Sequence, residues 1–217
     1  MTTPDRDRDL AHAAPALHPR LRGGAAVATL AAAWRDGGAL RIDELLDPGL
    51  AAELAVELPR LPLAPRVLAE HEDLSWACEV GVPDDPDPQL AACMHRLAAL
   101  LDTELPALAG AITGRRLAPP ARRRVHVWAF RKGGHVAAGR PLAPPGGLDV
   151  WIGLTGARWP AELGGHVDRV DAGGSAAITH APGWDTLDLI DGLGHRIALV
   201  CAHVEALWVR SYLVPGA

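Results

Sequence analysis

Lysine is almost missing from this chain; Lys132 is the single one, and the formal net charge is −5. A broad basic surface is therefore absent, which removes the general electrostatic case for a nucleic-acid partner. The one short basic run, Arg122-Arg123-Arg124, reads as a solvated strand edge. Cysteine is scarce and odd in number: Cys78, Cys93 and Cys201 form no CxxC pair, which speaks against a zinc ribbon and a disulfide framework. No apolar run reaches the roughly 18 residues that a membrane span needs. The start, Met1-Thr-Thr-Pro-Asp-Arg-Asp-Arg-Asp9, has no apolar signal core. The expectation is a cytoplasmic protein with no membrane partner. Phenylalanine and tyrosine occur once each against seven tryptophans, and Trp151, Trp159, Trp184 and Trp208 all fall in the second half.

What is present is ordinary for a globular domain: 217 residues, 49% of them apolar, enough for one sizeable core. Residues 1–24 are polar and without apolar period, and are expected to form a mobile tail. Residues 25–217 are expected to form a single domain, a helical layer over 25–114 followed by a β core over 115–217. The spacing predicts a helix over 25–36 closed by Gly37-Gly38, then a short strand at 40–42. Asp47-Pro48 and Asp87-Pro88 each pair a good N-cap with a proline tolerated at the first helical position. Leu50, Leu54 and Leu58 follow the first, and Leu90, Met94, Leu97 and Leu101 the second, at helical spacing. After Gly114 the texture becomes strand-like at 125–130, 149–154, 165–170, 186–190, 196–201 and 207–214, with glycine and proline clusters between. The fold class expected is α+β: a β-sandwich or barrel with N-terminal helices packed on one sheet.

The order of these segments resembles the prolyl-hydroxylase-like branch of the 2-oxoglutarate/Fe(II) oxygenases. Asp43-Glu-Leu-Leu-Asp-Pro-Gly-Leu50 resembles the family's strand that ends at a "leucine-aspartate-proline" helix start. Ile112-Thr-Gly-Arg-Arg-Leu117 resembles the segment before its first core strand. Leu154-Thr-Gly-Ala-Arg-Trp-Pro-Ala-Glu-Leu-Gly-Gly165 is the strongest likeness: a strand end, a tryptophan turn, and a Gly-Gly that opens the next strand. The resemblance covers roughly residues 40–214, and implies that the β core is a jelly roll, a double-stranded β-helix, with Fe(II) and 2-oxoglutarate as cofactors where the protein is active.

Such an enzyme holds iron by two histidines and one carboxylate, leaving positions open for cosubstrate and oxygen. The first histidine and the carboxylate come from an HxD pair, whose i, i+2 spacing aims both from one strand face. By resemblance His195 is the distal metal histidine and Arg210 the cosubstrate-binding arginine, whose planar fork suits a carboxylate. His203 is a second candidate for the distal position. The family pattern Gly-Gly-x-x-x-x-His-x-Asp falls on Gly133-Gly134 through Pro141 without a gap. Gly139 then stands where the histidine belongs and Pro141 where the aspartate belongs, and neither side chain can ligate a metal. Two other registers stay open. One makes His135-Val136-Ala137 an HxA pair, as in halogenases of this chemistry. The other uses the literal HxD at His166-Val167-Asp168. His126 reads as packed or exposed in its strand, and His180 as a solvated turn residue. Trp151, Trp184 and Trp208 are candidates for an indole-lined pocket, with core packing the plainer reading.

The expected function is an oxygenase-fold protein with a degenerate iron site, a pseudoenzyme candidate that binds a small molecule or a protein and holds no cofactor. The first alternative is an active 2-oxoglutarate-dependent hydroxylase or halogenase with a rearranged site built from His135, or His166 and Asp168, with His195. The second is a cupin-like enzyme that uses no oxidant.

Overall fold

The computed structural model describes residues 15–68, 73–80, 88–121, 125–139, 142–156, 159–170, 176–191, 194–201, 203 and 205–216. Helices come first. α1 (Gly24–Gly37) ends at Gly38, whose φ of 61° is the left-handed cap that glycine adopts without strain. α2 (Pro48–Glu57) starts as its sequence predicts: Asp47 Oδ1 accepts the Gly49 and Leu50 amides at 3.0 and 3.4 Å, and Pro48 opens the helix. α3 (Pro88–Ala99) passes through a π-turn at Leu100–Glu104 into α4 (Leu105–Thr113), which Gly114 closes.

The strands are β1 (Ala39–Asp43), β2 (Ala64–Leu68), β3 (Asp73–Val80), β4 (Leu117–Ala118), β5 (Val125–Phe130), β6 (Val136–Gly139), β7 (Leu148–Leu154), β8 (Val167–Val170), β9 (Ala176–His180), β10 (Trp184–Asp191), β11 (Gly194–Ile197) and β12 (Ala206–Pro215). They form two antiparallel sheets among the described residues. The larger has the order β1-β10-β7-β12-β5-β3-β2, with β4 on β12; the smaller is β6-β11-β8-β9. From β5 to β12 consecutive strands alternate between the sheets, except that β8 and β9 pair with each other in the smaller one, the winding of a jelly roll.

The central strand β7 explains the layering. All seven of its residues are buried, so both faces of the larger sheet are covered there. Leu148, Val150, Ile152 and Leu154 share a core cluster with Leu50, Leu54, Leu97, Leu101 and Leu105 of the helical segments. Trp151 points the other way, into a second cluster with Phe130 and Trp208 of the larger sheet and Val136, Val167 and Ile197 of the smaller one. The strand alternation thus separates a mainly apolar helical side from an interior between the sheets that is rich in tryptophan and carries Asp149, Asp188 and His195.

Several expectations need correction. The described part of the supposed tail, residues 15–24, is docked: Ala16, Leu17 and Leu21 are buried, and Glu104 accepts the Ala16 and Leu17 amides. Three isolated apolar positions with a side-chain anchor suffice without any period. Residues 1–14 lie outside the described residues. The stretch 25–114 is not purely helical, because β1, β2 and β3 extend the larger sheet. β2 is an edge strand, where Pro65 is tolerated. β6 and β9 are strands beyond the six stretches the sequence suggests; Val-Ala-Ala-Gly and Ala-Ala-Ile-Thr-His offer little strand propensity, and tertiary pairing imposes it. β11 ends at Ile197 rather than Cys201.

Asp185 pins the start of β10 to the loop before α2. Its Oδ1 accepts the Leu46 amide at 2.7 Å and its backbone carbonyl the Leu45 amide at 3.2 Å. Burial pushes its carboxyl up to about 6, against the lowering effect of the Leu46 hydrogen bond. A folded value above the unfolded one means that the folded chain holds the proton more tightly. The contribution of this group to stability is therefore greatest below about pH 4, is lost as pH rises through about 6, and stays lost above. Asp185→Asn keeps the acceptor, tolerates the positive φ of 56°, and removes the buried charge. It is expected to stabilise by about 1–2 kcal/mol at pH 8 after screening at its solvent edge, with no gain at pH 4. Urea melts at the two pH values check this; equal gains at both would contradict it.

Candidate functional site

The interior between the sheets is built in rows, because directly opposed residues of neighbouring strands share a face. Arg210 of β12 stands opposite Trp151 of β7, which stands opposite Asp188 of β10. One step along, Trp208 faces Trp128 of β5 and Gly153 of β7. One step the other way, Tyr212 and Ile190 flank Asp149. From the smaller sheet, His195 projects into the same space, since its neighbour Ile197, two residues on, belongs to the interior cluster.

His195 and Asp149 close across the two sheets. The imidazole Nδ1 donates to Asp149 Oδ2 at 2.9 Å, and both side chains are 1% exposed. The same carboxylate accepts the Leu142 amide at 3.1 Å and the Ala143 amide at 2.7 Å. A carboxylate engaged by three donors acts purely as acceptor, so the ring proton sits on Nδ1 and Nε2 presents its lone pair. Arg210 Nη2 lies 3.4 Å from that Nε2. The guanidinium is held over two indoles, 4.6 Å from the Trp151 ring centre and 5.0 Å from that of Trp128, in cation–π contact. Trp151 meets His195 edge-on at 4.9 Å and Trp208 at 6.0 Å. The result is a chain Asp149–His195–Arg210 in an indole-walled interior.

On β6, Gly139 is the residue directly opposite His195. Pro141 lies outside the described residues. The pair His166/Asp168 does not meet His195. Arg196, the neighbour of His195, is opposite Asp168 in register and its Nε donates to Asp168 Oδ2 at 2.7 Å, so Asp168 stands on the other face of the smaller sheet. Thr179 Oγ1 donates to the other oxygen at 2.8 Å. His135 is also turned away: the interior residue is its neighbour Val136, while His135 lines an outer groove with Arg196, Ala198 and Leu199 and is 3.0 Å by Nδ1 from the Gly133 carbonyl. His203 is exposed, 3.4 Å from Lys132.

Of the tryptophans, Trp151 and Trp208 are wholly buried in the interior, whereas Trp184 packs against the helical-side cluster. A register shift between Trp184 and Thr186 flips it to that face. Trp128, Asp149 and Asp188 belong to the interior and were not singled out. Their signal is alternation: Asp149 and Trp151, or Asp188 between Leu187 and Leu189, put the odd residue of an apolar strand on the other face. His180 is not a turn residue; it ends β9 with its Nδ1 at 2.7 Å from Asp188 Oδ1.

The tryptophan turn has a physical explanation. Trp159 Nε1 donates to the Gly164 carbonyl at 2.6 Å. Gly164 (φ 74°, ψ −152°) is in a region open only to glycine, and Gly165 also has positive φ at 72°. This brings the turn against Leu199 and Val200, which continue the His195 strand. Among the described residues, no helix is long and apolar enough to cross a membrane.

No protein-family model and no curated protein matches the chain. Solved structures do match. A 2OG-Fe(II) oxygenase family oxidoreductase from Burkholderia pseudomallei aligns over 88% of this chain and 91% of its own, with 21% identity and a TM-score of 0.64. A prolyl hydroxylase from Trichoplax adhaerens, solved with a peptide of hypoxia inducible factor, aligns over 87% and 89%, with 12% identity and a TM-score of 0.64. A prolyl-4-hydroxylase from Pseudomonas putida aligns over 88% and 100%, with 16% identity and a TM-score of 0.59. The chain has the fold of the 2-oxoglutarate/Fe(II) oxygenases, prolyl hydroxylases among them.

Proposed function

We propose that this oxygenase-fold protein has a degenerate iron site and acts by binding a small molecule between its sheets rather than by oxidising it. The observation that carries this is the surroundings of His195. A metal at Nε2 needs further histidine or carboxylate donors around it. Opposite the ring is Gly139, without a side chain. Asp149 is on the Nδ1 side, occupied with three donors. At Nε2 itself stands the Arg210 guanidinium, a permanent cation that a divalent metal would have to displace. These residues do not fit a facial triad. In this reading the helices back the larger sheet, Asp149 orients His195, and the imidazole and indoles hold Arg210 in place.

A second reading has one observation in its favour. Asp149 fixes His195 in the tautomer that a metal-bound imidazole takes, with a carboxylate behind it. An active 2-oxoglutarate-dependent hydroxylase or halogenase would use it so, with Arg210 swung onto the cosubstrate.

Incubation with 2-oxoglutarate, Fe(II) and ascorbate separates the two. The binding reading expects no succinate above the protein-free control. Succinate formed by the natural chain and lost in His195→Ala would overturn it in favour of the oxidoreductase.

A further inference from the structure

Asp188 is wholly buried, yet among the described residues neither of its oxygens has a hydrogen-bond partner. His180 Nδ1 is 2.7 Å from Oδ1 but lacks hydrogen-bond alignment. Two further polar atoms on the same face are also buried without partners among the described residues: Thr186 Oγ1, two residues before on β10, and Trp151 Nε1, directly opposite Asp188 on β7. Arg41 is opposite Asp188 on the other side, but its guanidinium goes to the Ala181 carbonyl at 2.5 Å and to Asp43. A buried carboxylate without donors is costly, and such a group in a folded chain calls for an occupant.

The chemistry of the occupant follows from what is offered. Asp188 Oδ2 and Thr186 Oγ1 accept hydrogen bonds, whereas the Trp151 indole N–H is itself a donor and takes no part in holding a donor group. The two acceptors suit a compact group with several N–H donors. We propose that Asp188, with Thr186, forms a binding site for a primary ammonium group, with His180 at its outer side, where 16% of the side chain is exposed. The site neighbours the Asp149–His195–Arg210 chain across Trp151 but uses none of its three residues, and stands whether or not iron is held there.

The test is calorimetric titration of the full chain with n-butylammonium at neutral pH, with n-butanol and butyrate as neutral and anionic controls. Saturable binding of the ammonium, with neither control binding, is expected. Asp188→Asn should weaken it at least about tenfold, the effect of removing a charged acceptor. Thr186→Val, which replaces an unpartnered buried hydroxyl by a methyl and leaves folding intact, should weaken it by about three- to tenfold. A blocked tripeptide with a central lysine tells the source: binding of both probes points to a lysine side chain, and binding of butylammonium alone to a free small amine. Equal binding of n-butanol, no ammonium binding at tens of millimolar, or undiminished binding by folded Thr186→Val and Asp188→Asn would overturn the proposal and leave trapped water as the occupant.

Discussion

Replacing Asp149 by alanine is expected to lower stability by roughly 3–5 kcal/mol, or about 10 °C in melting temperature for a chain of this size. The carboxylate is 1% exposed and serves three donors from two places: the His195 ring on the smaller sheet, and the Leu142 and Ala143 amides in the segment before β7. Alanine leaves all three without their acceptor, the His195 ring in full burial and the Leu142 and Ala143 amides in part burial. The cost exceeds that of an ordinary hydrogen bond because the stranded donors keep their desolvation penalty. Asp149→Asn, which keeps one acceptor oxygen but offers an amide where acceptors are needed, should fall between. His195→Ala removes one donor together with its demand, so it should cost less than Asp149→Ala, and the double variant should cost less than the sum. Strict additivity in urea unfolding would mean that the two side chains do not act as one unit.

Gly164→Ala is expected to be comparably damaging, by roughly 3–5 kcal/mol. A Cβ there would lie 1.8 Å from the Leu199 carbonyl oxygen and 2.7 Å from its carbon, and backbone cannot rotate aside as a side chain can. The conformation is one that alanine does not adopt. Because Gly164 also accepts the Trp159 indole N–H, a shift there loosens the turn packed against the continuation of β11. The control is Gly156→Ala, where nothing lies within 4 Å of the added methyl; it should fall within about 0.5 kcal/mol of the natural chain. Thermal melts of both variants decide the matter, and a folded, unshifted Gly164→Ala would refute the geometry.

The same residues show what could be read in advance. Asp47-Pro48 is a local signal, cap and proline together, and the helix starts there. The Trp-to-Gly-Gly stretch is local too, since the indole reaches only five residues along the chain. Gly139 opposite His195 was legible only through resemblance, because nothing in Val-Ala-Ala-Gly announces a strand. The sheet imposes it through the pairing with β11. The Asp149–His195 contact spans 46 residues and the Asp188–His180 contact joins two strands of different sheets. Each aspartate does carry a faint mark, a polar residue at the odd position of an apolar strand. Its partner is fixed only when the sheets close on each other. Trp184 illustrates the converse: a one-residue irregularity before Thr186 turns it to the helical side, and such bulges have no composition of their own.

The central claim concerns what can sit at His195 Nε2. Anaerobic dialysis against excess Fe(II) and 2-oxoglutarate, followed by desalting and metal quantification, measures it directly. With Gly139 across the sheet and Arg210 against the ring, the natural chain should retain below about a tenth of an iron per chain, and His195→Ala should retain the same trace. One tightly held iron per chain, lost on removing His195, would show that the guanidinium yields to a metal and would contradict the account.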